Sequence, residues 1–262
     1  MNRDSESQST VVDCSRRQFV GGALGAVAGA SLLAGIARAE AAPEAARATT
    51  PIRKIKLGVV GNGGRGSWIA GLFKEHGGYE MHAVADYFQR NADKLGNTLG
   101  VDAHRRFSGL SGYKRVIESG VEAIAVETPP YAIPEIAEAG VAAGLHVYLA
   151  KPVAVDVPGC LRIGAAGKAA TQKRRVFLVD YQISTDPQNI AVRDAVRQGN
   201  AGPLASVLTT GVSGGHNDPP TGPTIENLLE HSIWNCHIAL SGGFSVSFDI
   251  HGIPADLRGL KT

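Results

Sequence analysis

From position 54 the chain alternates between two patterns. Short apolar runs rich in β-formers, KIKLGVV (54–60), YEMHAVAD (79–86), EAIAVET (122–128), HVYLA (146–150) and RRVFLVDY (174–181), read as strands. Longer stretches between them, 65–75, 133–143 and 158–171, read as helices. Strand–helix alternation of this kind predicts an α/β fold built on a doubly wound parallel sheet with helices on both faces.

The N-terminal stretch has a different pattern. Arg16-Arg17 and Gln18-Phe19 lead into a weakly apolar run, 19–36, that is broken repeatedly by glycine and followed by Ala37-Arg38-Ala39. A twin arginine, a short apolar core and a small-x-small site together read as a twin-arginine export signal over 1–39. The run is close to the lower length limit for a membrane span, so an uncleaved anchor stands as the alternative. Residues 40–53 read as a flexible linker. The expected location is periplasmic or otherwise extracytoplasmic, or membrane-anchored if the signal is retained. The expected export partner is the twin-arginine machinery.

Composition narrows the function classes. The net charge is +2 and the Lys and Arg residues are scattered, which predicts no nucleic-acid partner. The cysteines, Cys14, Cys160 and Cys236, have no metal or redox spacing. The latter two are expected to be buried free thiols. HSIWNCH (231–237) matches no common metal site and reads as amphipathic packing, and no metal is expected. Trp68 is expected to pack in the core.

The most informative stretch follows the first strand. Gly61-Asn62-Gly63-Gly64-Arg65-Gly66 is a G-x-G-x-x-G turn entering a helix, and Asp86 closes the next strand twenty residues after Gly66. This is the context of a Rossmann-type dinucleotide site. Gly61 would allow the tight turn, Gly63 the approach of a pyrophosphate, and Gly66 close helix–strand packing. The helix N-terminus offers unpaired N–H groups to phosphate. A carboxylate at Asp86 would accept from both ribose hydroxyls and repel a 2′-phosphate. That favours NAD, while Arg90 nearby keeps NADP open. Thr128 and Pro129, in the ETPP stretch at the end of the 122–128 run, would line the same crevice.

Further motifs, GLHVYLAKPVAVD (144–156), VDYQ (179–182) and SGGFSVSFDIHGI (241–253), complete a resemblance to the glucose–fructose oxidoreductase/inositol dehydrogenase (Gfo/Idh/MocA) family, spanning about 54 to 253. The resemblance implies a Rossmann domain (54–183) holding NAD(P) and a second α/β domain (184–262) that covers the nicotinamide. It also implies a homo-oligomer in full-length members, and hydride transfer between a sugar or polyol-like substrate and the nicotinamide. By resemblance Lys151 and His251 carry the proton chemistry, and Gln182 lies near the nicotinamide or substrate. Lys151-Pro152 is expected to be a cis bond. Twin-arginine export moves folded proteins, so a leader and a dinucleotide site together imply a tightly held cofactor.

The sequence departs from the family pattern in places. Ala150 stands where the family has Glu before Lys151. Ser247 occupies an often acidic position four residues before His251, and Pro254 follows it. After a linking helix at 186–200, capped by Asp186, only one convincing strand (203–212) and one short helix remain. The second domain is therefore expected to be incomplete. The alternative function is a truncated, non-catalytic dinucleotide-binding fragment, with oligomerisation in doubt.

Overall fold

The computed structural model describes residues 53–200 and 202, together with 224, 226, 227, 230, 234, 235, 237–243 and 246. The export segment, the 203–212 strand, Cys236 and His251 lie outside the described residues. Among the described residues, no helix is long and apolar enough to cross a membrane.

Six strands form one sheet: β1 (Ile55–Val60), β2 (Tyr79–Asp86), β3 (Arg106–Ser108), β4 (Ala123–Val126), β5 (His146–Ala150) and β6 (Phe177–Asp180). All neighbouring pairs are parallel and the order is β3-β2-β1-β4-β5-β6. The helices are α1 (Gly64–His76), α2 (Gln89–Leu99), α3 (Gly112–Glu118), α4 (Ile133–Ala142), α5 (Val157–Gln172), α6 (Pro187–Arg197) and α7 (Ile238–Ser241).

Period-2 alternation sorts the strand residues between two cores. Leu57, Val59, Val84 and Ala125 pack with Ala70 of α1 and Leu95 and Leu99 of α2. Val60, Ile124, Val126 and Leu149 pack with Val116 of α3, Ile133 and Ile136 of α4, and Ile163 of α5. Both faces are covered, so β1 and β4 read as nearly unbroken apolar runs. The expected doubly wound sheet is the one observed.

Helix boundaries follow local chemistry. Asp156 caps α5 by accepting the Gly159 N–H at 2.7 Å. Asp186 caps α6 as expected, accepting from the N–H groups of Gln188 and Asn189. α1 ends at Gly77 in the left-handed region. The Lys151–Pro152 bond is cis.

Three elements, α2, β3 and α3, occupy sequence to which the pattern assigned nothing. β3 has three residues, all half-buried, too few for a period to register. α2 is polar overall, and its buried stripe of Ala92, Leu95, Gly96 and Leu99 is narrow. Two side-chain expectations are corrected. Trp68 is not core: it is 50% exposed on the outer face of α1, where the Arg65 guanidinium lies 5.6 Å from its ring centre. Cys160 is a free thiol but exposed, because its position on α5 faces solvent.

Candidate functional site

The strand order reverses direction between β1 and β4, both of which start from the middle of the sheet. In such sheets the carboxyl ends of the strands at this point open a crevice. Here it is lined by Gly61, Gly63 and Gly64 after β1, Asp86 at the end of β2, and Thr128 and Pro129 after β4. Six of the sequence-predicted cofactor residues thus come together from three strands, while Asn62, Arg65, Gly66, Lys151 and Gln182 are not among the lining residues.

Each glycine of the turn has its own geometric reason. Gly61 has φ +92°, and a Cβ there would lie 2.6 Å from the Glu127 carbonyl. A Cβ on Gly66 would lie 1.8 Å from the Gly61 carbonyl oxygen, so α1 can pack here only on glycine. A Cβ on Gly63 or Gly64 would meet nothing within 4 Å, and both residues border open space at the crevice. The first turn of α1 contains no acidic residue, so the unpaired N–H groups of the helix start face no carboxylate of their own turn.

Asp86 does more than the sequence suggested. Its Oδ2 accepts the Asn62 N–H at 2.7 Å, and its Oδ1 accepts the Phe88 N–H at 2.9 Å and the Asn91 side-chain amide at 3.0 Å. A carboxylate offers about four acceptor positions, so about one remains, on Oδ2, for a ribose hydroxyl. Arg90 stacks over Phe88 at 4.3 Å and is ion-paired with Glu230, while Tyr87 donates to Glu226 at 2.8 Å. Arg90 is therefore already engaged by a carboxylate.

Among the described residues, three buried side chains beside the crevice have polar atoms with no hydrogen-bond partner: Asn62 at both its polar atoms, the Thr128 hydroxyl, and Glu127 at both oxygens, whose contact with Arg65 is an ion pair only. Buried polar atoms are rarely left unsatisfied, so a polar ligand in the crevice would meet unused donors and acceptors. With the open glycines and the Asp86 carboxylate, the donor set fits a dinucleotide.

A second cluster lies at the ends of β4, β5 and β6. Lys151 follows β5 and is half-buried, and its pKa is lowered to about 8, first by burial and then by the Arg65 charge, against the pull of Asp180. Arg65, predicted to serve the cofactor, turns its guanidinium to two carboxylates instead. Its Nε lies 3.2 Å from Glu127 Oε2, and its outer nitrogen pairs with Asp180. The Glu127 side chain is wholly buried, and burial pushes its pKa up to about 7 despite Arg65. Tyr148 is held protonated by burial and by Asp180.

Gln182 opens the short turn after β6, where its carbonyl accepts the Thr185 hydroxyl. Sequence reasoning assigned no role to Glu127 or Asp180. A charged residue at the end of an apolar strand run was the available signal, present at both positions. It also missed the aromatic wall of the crevice, Tyr87, Phe88, Tyr113, Tyr131 and Trp234, whose members come from separate segments of the chain.

Comparison with known proteins agrees with this geometry. Residues 55–181 match the family model described as an oxidoreductase family with an NAD-binding Rossmann fold. An inositol 2-dehydrogenase of Rhizobium meliloti is 22% identical over 197 residues, covering 75% of this chain and 52% of the relative. An inositol dehydrogenase homologue of Azotobacter vinelandii, crystallised with NAD+, superposes with a TM-score of 0.61 at 20% identity, over 79% of this chain and 54% of the other. An aldose-aldose oxidoreductase of Caulobacter crescentus, complexed with glycerol, gives 0.60 at 22% identity, over 79% and 57%. The chain thus spans about half the length of these relatives. The crevice at the β1/β4 reversal and the family match coincide in one segment: residues 55–181 form an NAD-binding Rossmann domain and are similar to the Gfo/Idh/MocA oxidoreductase family.

Proposed function

We propose that the protein is an NAD-dependent oxidoreductase that moves a hydride between a sugar or polyol-like carbon and the nicotinamide. The observation that carries this reading is Lys151. It sits at the carboxyl end of β5, next to the strand that borders the crevice, with a proton affinity poised near neutrality. NAD, when bound, supplies the hydride acceptor. The chain's own residues hold it through the glycine turn, Asn62, Asp86 and Thr128. Lys151 donates a hydrogen bond to the substrate oxygen or relays its proton, since alcohol oxidation needs a proton acceptor at oxygen while hydride leaves carbon. His251 is assigned the base role by resemblance alone. Asp86 and the engaged Arg90 favour NAD over NADP. The leader at 1–39 supports export by the twin-arginine route, with the cofactor loaded before transit.

The test starts with the purified protein. It is denatured, and the released nucleotide is identified by mass spectrometry. A panel of polyols and aldoses is then screened with added NAD for reduced-nicotinamide absorbance. Turnover of a polyol that Lys151→Ala abolishes while NAD stays bound is the expected result. NAD binding with no turnover on any alcohol of the panel would overturn the catalytic part of the reading.

A further inference from the structure

The ends of β4, β5 and β6 carry a cluster of charges beside the crevice, which Glu127 also lines. The parallel register sets Val126 beside Leu149 and Ala150 beside Asp180. Glu127 and Asp180 therefore flank the Ala150–Lys151 turn, one from each neighbouring strand. Arg65, the second residue of α1, bridges them. Its guanidinium reaches Glu127 with one nitrogen and Asp180 with another, and Trp68 backs it on the outer side. The two carboxylates are shielded from water, the Glu127 side chain with no exposed surface and that of Asp180 12% exposed, while the Arg65 side chain between them is 34% exposed. α1 cannot drift from this position, because Gly66 rests directly on the Gly61 carbonyl and beside Glu127.

We propose that Arg65 is a positioning residue for Lys151: bridging Glu127 and Asp180 across the end of β5, its guanidinium holds a fixed positive charge at the Ala150–Lys151 turn. A guanidinium stays charged across the working pH range, so the field it applies is constant. Asp180 acts on Lys151 in the opposite sense, and the balance between the two depends on where the two carboxylates hold Arg65. The charged groups that act on Lys151 are Arg65 from α1 and Asp180 from β6; Glu127 at the end of β4 and Tyr148 on β5 in turn face that Arg65–Asp180 pair. Tyr148, held protonated, contributes no charge. Burial lowers the Lys151 pKa most; of the two charges, Arg65 lowers it further and Asp180 raises it. The role in turnover rests on the dehydrogenase reading, but the charge relationship does not.

The test needs no substrate. The purified full chain is trace-acetylated with acetic anhydride over a range of pH, and the reactivity of the Lys151 peptide is followed by mass spectrometry. The wild-type midpoint is expected near 8. In Arg65→Gln the midpoint rises by about one pH unit, as the loss of a nearby like charge requires. In Asp180→Asn it falls. Arg65→Lys, which keeps the charge, returns it toward wild type. Opposite movements support the proposal, since damage to the fold would expose Lys151 and raise the midpoint in every variant. Midpoints that stay fixed or all move upward overturn it. If Arg65→Gln does not accumulate, Asp180→Asn decides alone, and a midpoint that does not fall overturns the proposal. A wild-type protein without turnover would sink the dehydrogenase reading and leave this comparison standing.

Discussion

The Asp86 carboxylate accepts the backbone N–H of Asn62 at 2.7 Å. That bond ties the end of β2 to the glycine turn, so one side chain both shapes the turn and faces the crevice. Asp86→Ala is expected to weaken NAD binding by about tenfold to a hundredfold, the range for losing hydrogen bonds to a charged acceptor. NADP binding should change less, because removing the carboxylate also removes its repulsion of a 2′-phosphate. Isothermal titration with both nucleotides checks this, and equal losses would remove Asp86 from the ribose role.

Arg90 is kept from a 2′-phosphate by Glu230. In Glu230→Gln the guanidinium is released at the rim of the crevice. NADP affinity is then expected to improve by about 1.5- to fivefold, the range of an exposed charge pair, with NAD affinity nearly unchanged. Unchanged NADP affinity would show that Arg90 does not reach the phosphate.

Two glycines of the same turn should fail in different ways. Gly66→Ala forces a Cβ against the Gly61 carbonyl oxygen, and backbone must move. A loss of stability of about 3 kcal/mol or more is expected by denaturant unfolding. Gly63 caps α1 at φ −66°, which alanine adopts, and a Cβ there meets only open space. Gly63→Ala should leave stability within about 0.5 kcal/mol and still weaken NAD binding, since the methyl group enters the ligand's space. Normal NAD affinity in Gly63→Ala would argue against close pyrophosphate approach at this residue.

Glu127 should leave a mark on the pH dependence of stability. Its folded pKa is raised from 4.5 to about 7, so between these values the folded state binds more protons than the unfolded chain. The stability contributed by the protonated form is complete below about 4.5 and is lost as pH rises through about 7. The loss is on the order of 3 kcal/mol. Lys151 acts at higher pH with the opposite sign: its depressed pKa makes stability rise between about 8 and 10.5. Glu127→Gln should flatten the first slope and spare the second. Unfolding in urea across this pH range distinguishes the two, and an unchanged acid-side slope would place the titration elsewhere.

The fold was legible because its signals are local. The strands at 79–86 and 146–150 appear with the bounds read from their apolar runs, since a buried parallel strand must be apolar along its length. The glycine turn was legible because Gly61 and Gly66 answer steric demands that no other residue meets. Asp86 was singled out by its position at a strand end after the glycine turn, and Lys151 by the resemblance of Ala150-Lys151-Pro152 to the family motif.

What the tertiary structure decided was which charges meet. Arg65, Glu127 and Asp180 are separated by up to 115 residues, and no pattern in sequence announces that α1 and the ends of two strands share one cluster of charges. In sequence Arg65 belongs to the phosphate turn; in space its guanidinium pairs with Glu127 and Asp180, because hydrogen bonds between a guanidinium and carboxylates are charge-assisted and strong. The same holds for Arg90 and Glu230, and for the division of Asp86 between loop and ligand. Periodicity records which face of an element is buried. The partner of a long polar side chain is set only when the sheet order brings distant strand ends together.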